Sequence, residues 1–374
     1  MLRKIEIGCY RGLKDIVLSD IGKINVIIGE NNSGKTSILE ALQLFGNQNV
    51  LEGAISIARK RETQLVLGSY GRLMPFDMLL YSFPMDDRET KKIDIRVYGD
   101  EFGTCRVGIH ANLHKEMFLP ENMTGEELKK YDNFCDENGY IRSISGEYLY
   151  EGDIQNIRNF YFNEIQRQPQ IQGEEDSKYR RNLILSRTDM PKILYISPMD
   201  IYTNRVISAS LYKGMLVEEK RRLLELLQLF DERIIGIETG IQYGRPVTFI
   251  EMEDCGLVPV SVFGDGLKKV LTLASAVVRT REGIILIDEF ETGIHKHALI
   301  QVAKWLAMAT ERYKVQVFLT THSDDAIDAL VRAQEDYNNI NAYRLEHYKS
   351  KILVKRFEGL DLYRLRRELG MDIL

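Results

Sequence analysis

The sequence predicts an α/β protein whose central sheet is largely parallel. An apolar segment, Val26 to Ile28, ends in a glycine-rich turn that leads into helical periodicity, and the last third of the chain alternates buried strands with helices. Such alternation is typical of parallel strands joined by crossover helices. A third observation, the alternating segments at 92–97 and 104–110, predicts antiparallel strands that flank this sheet.

The composition is that of a globular protein of 374 residues. Hydrophobic residues make up 44% of the chain and charged residues 28%, and the net charge is −5. This charge argues against a globally basic nucleic-acid binder, although the basic cluster at 178–181 keeps DNA or RNA contact open. A second cluster, at 220–222, is predicted to be a solvated helix face. No apolar run has the length of a membrane span, so we predict a cytoplasmic protein with no membrane partner.

A phosphate-binding loop is predicted from Gly29 to Thr36. The letters G-E-N-N-S-G-K-T have the spacing G-x-x-x-x-G-K-[ST] and stand between a strand and a helix. Glycines let successive N–H groups point at one place, and the start of the helix adds the positive end of its dipole. We expect Lys35 to reach the β- and γ-phosphates and the Thr36 hydroxyl to ligate Mg²⁺.

Two acidic residues, Asp288 and Glu289, follow the buried strand predicted at 283–287. Asp288 would hold Mg²⁺ directly or through water, and Glu289 would polarise the attacking water. The alternative is an ordinary strand end followed by an acidic helix cap.

A histidine follows the next predicted strand, at 315–320. Because His322 would stand at the carboxyl edge of the same sheet, its imidazole is expected to reach the γ-phosphate. The alternatives are an exposed or structural histidine, with Ser323 or Asp324 capping the following helix.

A second glycine-containing helix start lies at Gly264 and Gly266, before the helix predicted at 267–278. Its free N–H groups can bind an anion, but within one chain they would compete with the first loop. We therefore predict that this helix start faces a second subunit, so that two copies enclose two nucleotides. A plain glycine-rich turn is the alternative.

In this order, the motifs resemble those of ABC-type ATPase heads. The resemblance is strongest to the branch that contains RecF, the SMC-like heads and the OLD (overcoming lysogenization defect) ATPases. The segments that carry it are "YRGLKDI", "GENNSGKTSILEAL", "FGDGLKKVL", "LIDEFETGIH" and "VFLTTHS". It implies one ATPase head over residues 1–374, a mostly helical insertion at 115–232 and no Toprim nuclease domain, hence a stand-alone OLD-like ATPase.

The resemblance also assigns residues to nucleotide and metal. The nucleotide-binding set is Gly29, Asn31, Asn32, Ser33, Gly34, Lys35, Thr36, Ser37 and Arg11. Thr36 and Asp288 are implied to be the magnesium ligands.

Catalysis and dimer contact are implied for a further set. Glu289 is the implied catalytic base and His322 the implied switch histidine. The residues presented to the second copy as the signature are Gly264, Asp265 and Gly266, with 293–295 as a dimer-contacting turn. Phe263 stands where the ABC signature usually has a serine.

The predicted activity is hydrolysis of ATP to ADP and phosphate, with ATP and Mg²⁺ as cofactors, in a homodimer or higher oligomer. The resemblance implies that closure is coupled to a separately encoded effector or nuclease, or to nucleic acid, in bacterial phage defence or DNA metabolism. Two other functions stay open. One is a nucleotide-gated scaffold or antitoxin-like sensor with little hydrolysis; the other is a transporter ATPase subunit, against which the long middle insertion argues.

Overall fold

The computed structural model describes residues 1–46, 49–65, 74–85, 88–117, 139–151, 155–172, 190–203, 217–242, 245–349 and 351–373. The chain divides into two compact units. The first unit comprises Met1, Asp20–Leu39 and Pro191–Leu374, and the second comprises Leu2–Ser19 and Glu40–Met190. The organisation as one head with an insertion at 115–232 stays a prediction.

The described residues form the following strands and α-helices. The strands are β1 Leu2–Tyr10, β2 Leu13–Ser19, β3 Ile24–Gly29, β4 Thr90–Gly99, β5 Gly103–Met117, β6 Tyr140–Glu151, β7 Gln155–Asn163, β8 Gln170–Ile171, β9 Ile193–Ile196, β10 Ile234–Gln242, β11 Arg245–Met252, β12 Gly256–Pro259, β13 Ile284–Ile287, β14 Gln316–Thr320, β15 Ile340–Tyr348 and β16 Lys351–Glu358. The helices are α1 Lys35–Phe45, α2 Val50–Leu65, α3 Pro75–Leu80, α4 Asp200–Thr203, α5 Val217–Gln228, α6 Asp265–Arg279, α7 Lys296–Tyr313, α8 Asp324–Arg332 and α9 Gly359–Tyr363.

A six-stranded sheet forms the centre of the first unit, in the order β16-β15-β3-β14-β13-β9. All neighbours in it are parallel except the edge pair β15 and β16. Strands β3 and β13 are buried along their whole length, as expected where both faces of a parallel sheet are covered. The parallel register brings the carboxyl ends of β3, β9, β13 and β14 to one edge of the sheet.

Amphipathic helices supply the apolar core of the first unit. Helix α5 buries Leu223, Leu226 and Leu227, and α6 and α7 add further buried stripes to the same cluster. A separate three-stranded antiparallel sheet, β10-β11-β12, contains the predicted hairpin about residues 254–256. The α/β class with mixed and flanking antiparallel sheets is therefore confirmed.

Trp305 lies in the core of the first unit. Its side chain is 1% exposed, and its Nε1 donates a hydrogen bond of 2.7 Å to the carbonyl oxygen of Leu226. This bond ties α7 to α5 inside the apolar cluster.

The Trp305→Phe variant is expected to lower the free energy of unfolding by about 1–3 kcal/mol, because the buried carbonyl of Leu226 loses its donor. Urea denaturation followed by circular dichroism measures this, since the replaced residue is the only tryptophan of the chain. Met308→Leu, at an exposed position of the same helix, is the control and should change stability by less than about 0.5 kcal/mol. Equal midpoints for the two variants would contradict the structural role of the hydrogen bond.

The second unit is built on a seven-stranded antiparallel sheet in the order β2-β1-β4-β5-β6-β7-β8. The predicted strands at 92–97 and 104–110 lie in its central pair, β4 and β5. Alternate residues on this pair, such as Ile93 and Ile95 opposite Ile109 and Val107, are buried. The period-two pattern of the sequence therefore identifies the covered face correctly.

The expectation that residues 115–232 are mostly helical is wrong for the described part of that region. The described part contains the end of β5 and all of β6, β7, β8 and β9. The helices that it contains are α4 and α5. Segments such as "YIRSISGEYLY" are rich in β-branched and aromatic residues, which favour strands, and polar residues between them obscured this pattern. The short helix expected at 121–134 and the basic cluster at 178–181 lie outside the described residues.

The basic cluster on α5 is a solvated, ion-paired helix face, as predicted. Arg221 and Arg222 pair with Glu218 at 2.7 and 3.1 Å, and Lys220 pairs with Glu238 at 2.7 Å. Among the helices of the described ranges, none has the length and apolar character that crossing a membrane requires.

Candidate functional site

The loop after β3 is curled by residues in left-handed backbone conformations. The φ angles of Gly29, Asn32 and Gly34 are 140°, 64° and 98°. A Cβ atom at Gly29 would stand 2.6 Å from the carbonyl oxygen of Leu345, so a side chain does not fit there. The predicted curled loop is therefore present, between a buried strand and the start of α1.

Lys35 lies inside this loop. Its Nζ donates hydrogen bonds to the carbonyl oxygens of Gly29 at 2.7 Å and Glu30 at 2.8 Å. Burial lowers the pKa of Lys35, and three carboxylates oppose this effect, those of Asp288, Glu291 and Glu289. A phosphate oxygen in the loop would offer the ammonium group an anionic acceptor, which makes a stronger hydrogen bond than a carbonyl does.

The remaining loop residues differ in exposure. Asn31 and Asn32 are exposed and Ser37 is half-buried, whereas Ser33 is 1% exposed. The Ser33 Oγ is buried without a hydrogen-bond partner among the described residues. Buried hydroxyls are normally hydrogen-bonded, so this atom indicates that the loop accommodates a further polar group.

Asp288 stands at the end of β13, where the parallel register places it beside Thr320 of β14. Its Oδ1 accepts hydrogen bonds from the hydroxyls of Thr36 at 3.1 Å and Thr320 at 2.6 Å, and its Oδ2 accepts one from the Tyr195 hydroxyl at 3.0 Å. The carboxylate is 7% exposed. The structure thus joins the glycine-rich loop to the strand-end acid, although 252 positions separate Thr36 from Asp288.

Glu289 adopts a left-handed backbone conformation with φ of 46°. Its N–H donates to the Thr320 Oγ1 at 2.8 Å, and its Oε2 accepts from the Thr292 hydroxyl at 3.0 Å. A non-glycine residue rarely holds this conformation unless its surroundings enforce it, and such strain clusters at functional sites. The half-buried carboxylate is therefore held in place at the sheet edge.

His322 is tied to the same turn through Glu291. The His322 N–H donates to Glu291 Oε1 at 3.0 Å, and the ring Nδ1 lies 3.2 Å from the same oxygen. The imidazole is 55% exposed, so it faces solvent at the sheet edge. Ser323 caps α8 by accepting from the Ala326 N–H at 3.3 Å, which is the capping role that the sequence left open.

Helix α6 begins beside the turn at 293–295. Gly264 is the N-cap residue of this helix, and no side chain forms a capping hydrogen bond there. A Cβ atom at Gly266 would stand 3.7 Å from the Cβ of Ala298. A Cβ at Gly293 would stand 3.8 Å from that of Asp265. The two segments predicted to meet a second copy are therefore neighbours, and their role in a dimer stays a prediction.

Arg11 lies in the second unit, where it forms an ion pair with Glu40. Its Nε is 3.2 Å from the Glu40 Oε2, and Glu40 also pairs with Arg61. The predicted nucleotide contact of Arg11 stays a prediction.

Three side chains of the site were not predicted from the sequence. Thr320 and Tyr195 orient the Asp288 carboxylate, and Glu291 pairs with His322. The threonine pair at the end of β14 was a usable indication, because polar residues at strand ends often serve a site. Nothing in the segment around Tyr195 distinguishes it from an ordinary strand tyrosine.

The chain is similar to several known proteins. An "ATP/GTP phosphatase" of Helicobacter pylori is 25% identical over 97% of each chain. The DNA replication and repair protein RecF of Pseudomonas putida is 47% identical over 12% of each chain. The SMC head domain from Thermotoga maritima has 11% identity over 96% of this chain and 99% of its own, with a TM-score of 0.44. The narrower resemblance to the OLD ATPases stays a prediction.

One family model matches residues 24–328, which is more than half of the chain and includes every site residue named above in the first unit. The chain therefore belongs to the family described as "AAA domain, putative AbiEii toxin, Type IV TA system".

Proposed function

We propose that the protein hydrolyses a nucleoside triphosphate, ATP in the first instance, with Mg²⁺. The observation that carries this proposal is the hydrogen bond between Thr36 and Asp288, because it joins a phosphate-binding loop to a strand-end carboxylate. The name of the Helicobacter pylori relative supports a triphosphate substrate and leaves GTP as a second candidate.

The donor set at this point fits Mg²⁺. A threonine hydroxyl and a carboxylate are hard oxygen ligands, and Mg²⁺ is commonly bound by one or two such side chains together with substrate phosphates. Thr36 and Asp288 would hold the ion. The hydrogen bonds from Thr320 and Tyr195 would fix the orientation of the Asp288 carboxylate. When bound, Mg²⁺ would neutralise charge on the phosphates.

The triphosphate would lie against the N–H groups of residues 29–37. Lys35 would then exchange the carbonyl oxygens of Gly29 and Glu30 for phosphate oxygens. The unpartnered Ser33 hydroxyl would gain an acceptor in the same loop.

Glu289 would take the proton of the water that attacks the γ-phosphorus. Its backbone is held by Thr320, and Thr320 also bonds Asp288, so the base and the metal-side acid are placed by one side chain. His322 would contact the γ-phosphate from the end of the neighbouring strand. The bond between the γ-phosphorus and the bridging oxygen breaks, giving ADP and phosphate.

Two copies of the chain would enclose the nucleotides through the starts of α6. A Cβ atom at Gly264 would meet no atom of this chain within 4 Å, so the start of α6 is open to close approach, which supports a contact there. We further propose that closure acts on a separately encoded effector or on nucleic acid in defence against phage. The family description, which refers to a toxin–antitoxin system, supports the separately encoded partner.

The Thr36→Val variant is expected to need at least about tenfold more Mg²⁺ for half-maximal hydrolysis, since it loses one oxygen ligand while keeping its volume. Phosphate release by the full chain from ATP and from GTP, titrated with Mg²⁺ and stopped with EDTA, measures this. Thr90→Val, at an exposed position of the second unit, is the control. Hydrolysis by the wild-type chain that survives EDTA, or an unchanged magnesium requirement in Thr36→Val, would contradict the proposal.

A further inference from the structure

Lys269 is a buried charged residue that the proposed mechanism does not use. It lies on α6, one turn after Gly266, and its side chain is 0% exposed. Its Nζ has no hydrogen-bond partner among the described residues. A buried ammonium group costs considerable free energy unless an anion compensates it, so its retention in an apolar helix face requires an explanation.

The compensating charges come from the candidate site. Burial lowers the pKa of Lys269 to about 8, and four carboxylates oppose this effect, in decreasing order those of Glu291, Glu289, Asp288 and Asp200. The neighbouring charges on α6 already satisfy each other, because Lys268 pairs with Asp265 at 3.1 Å. The carboxylates that act on Lys269 are therefore those that follow β13 and that of Asp200 on α4.

Glu291, the strongest of these influences, also has an unsatisfied atom. Its Oε1 receives the two contacts from His322, whereas its Oε2 is buried without a hydrogen-bond partner among the described residues. The buried ammonium group of Lys269 and the buried Oε2 of Glu291 thus influence each other electrostatically, and each lacks a hydrogen-bond partner among the described residues. The two atoms form no hydrogen bond with each other in this structure, and a contact between them would satisfy both.

We propose that Lys269 and Glu291 form a buried ion pair that positions the turn carrying Glu289 and the imidazole of His322 for hydrolysis. The proposal rests on the hydrolytic function proposed above. Lys269 acts through Glu291 and does not touch the nucleotide, so it is a positioning residue. Its charge also lets several carboxylates stand beside a bound triphosphate without an excess of negative charge.

Kinetics of four variants test the pair: Lys269→Met, Lys269→Arg, Glu291→Gln and the double variant Lys269→Met/Glu291→Gln. We expect Lys269→Met to lower kcat at least about tenfold while KM for ATP changes less than about threefold, because the base is misplaced but the loop is intact. Glu291→Gln should give a similar loss, and the double variant should be no worse than the poorer single variant. Lys269→Arg should recover much of the activity, because it keeps the charge.

The control is Lys304→Met, an exposed lysine of α7, which should leave kcat within about twofold of wild type. A normal kcat in Lys269→Met, or losses that multiply in the double variant, would overturn the proposal. If Lys269→Met does not fold, Lys269→Gln, which also removes the charge, replaces it in the same comparison.

A second measurement separates this proposal from the hydrolytic one. Urea midpoints of the same four proteins do not depend on turnover. Lys269→Met and Glu291→Gln each leave one buried charge unpaired and should lower the midpoint, whereas removing both charges should restore it towards wild type. If the midpoint shifts of the two single variants simply add in the double variant, the ion pair is refuted, even when the protein is active. If the shifts do not add but the wild-type protein does not hydrolyse ATP, only the proposed function is refuted.

Discussion

The Glu289→Gln variant is expected to bind ATP with Mg²⁺ about as well as wild type and to hydrolyse it at least about a hundredfold more slowly, since a general base contributes on that scale. The substitution keeps the shape of the side chain, and the acceptor oxygen can still meet Thr292, so the turn should not move. Phosphate release at saturating ATP measures the loss, and a fluorescent ATP analogue measures binding.

The same variant tests dimer closure. Because hydrolysis would be blocked after nucleotide binding, the mass measured by light scattering should rise from one copy to two on adding ATP and Mg²⁺, and DNA can then be added to the closed form. Glu253→Gln, at an exposed position, is the matched control and should turn over normally. If Glu289→Gln hydrolyses ATP at the wild-type rate, Glu289 is not the general base. If the measured mass does not change on adding ATP and Mg²⁺, the nucleotide does not close a dimer.

The Lys35→Met variant is expected to lose at least about a hundredfold in ATP affinity, because a half-buried cation that hydrogen-bonds phosphate is removed. Titration calorimetry at constant salt measures the dissociation constant. The substitution also removes the two bonds from Nζ to the loop carbonyls, so thermal unfolding must show that the protein still folds.

Lys23→Met provides the control for charge alone. Lys23 is exposed before β3 and pairs with Glu311 on α7. Removing it changes the net charge by the same amount but leaves the loop intact, so ATP affinity should be nearly unchanged. If both variants bind ATP as wild type does, the loop is not the phosphate site.

The insertion at 115–232 shows why some elements could not be predicted. Strand β6 pairs with β5 on one side and with β7 on the other over most of its length, and that pairing supplies the backbone partners of a polar, tyrosine-rich segment. The intrinsic secondary-structure preference of the residues in this segment has less influence on its conformation than such non-local strand pairing. By contrast, the helices α6, α7 and α8 carry strong apolar periodicity, and their predicted positions agree with the structure within a few residues.

The sequence by itself determined the loop at Gly29–Thr36 and the acids at Asp288 and Glu289. The sequence signals for these features are local, because glycine spacing, a strand end and a helix start are visible in neighbouring residues. The tertiary structure alone decided that Thr36 meets Asp288, that Tyr195 supports it, and that Lys269 is buried. The physical reason is that parallel strands are paired across hundreds of residues, and no local periodicity specifies which side chains their register will bring together.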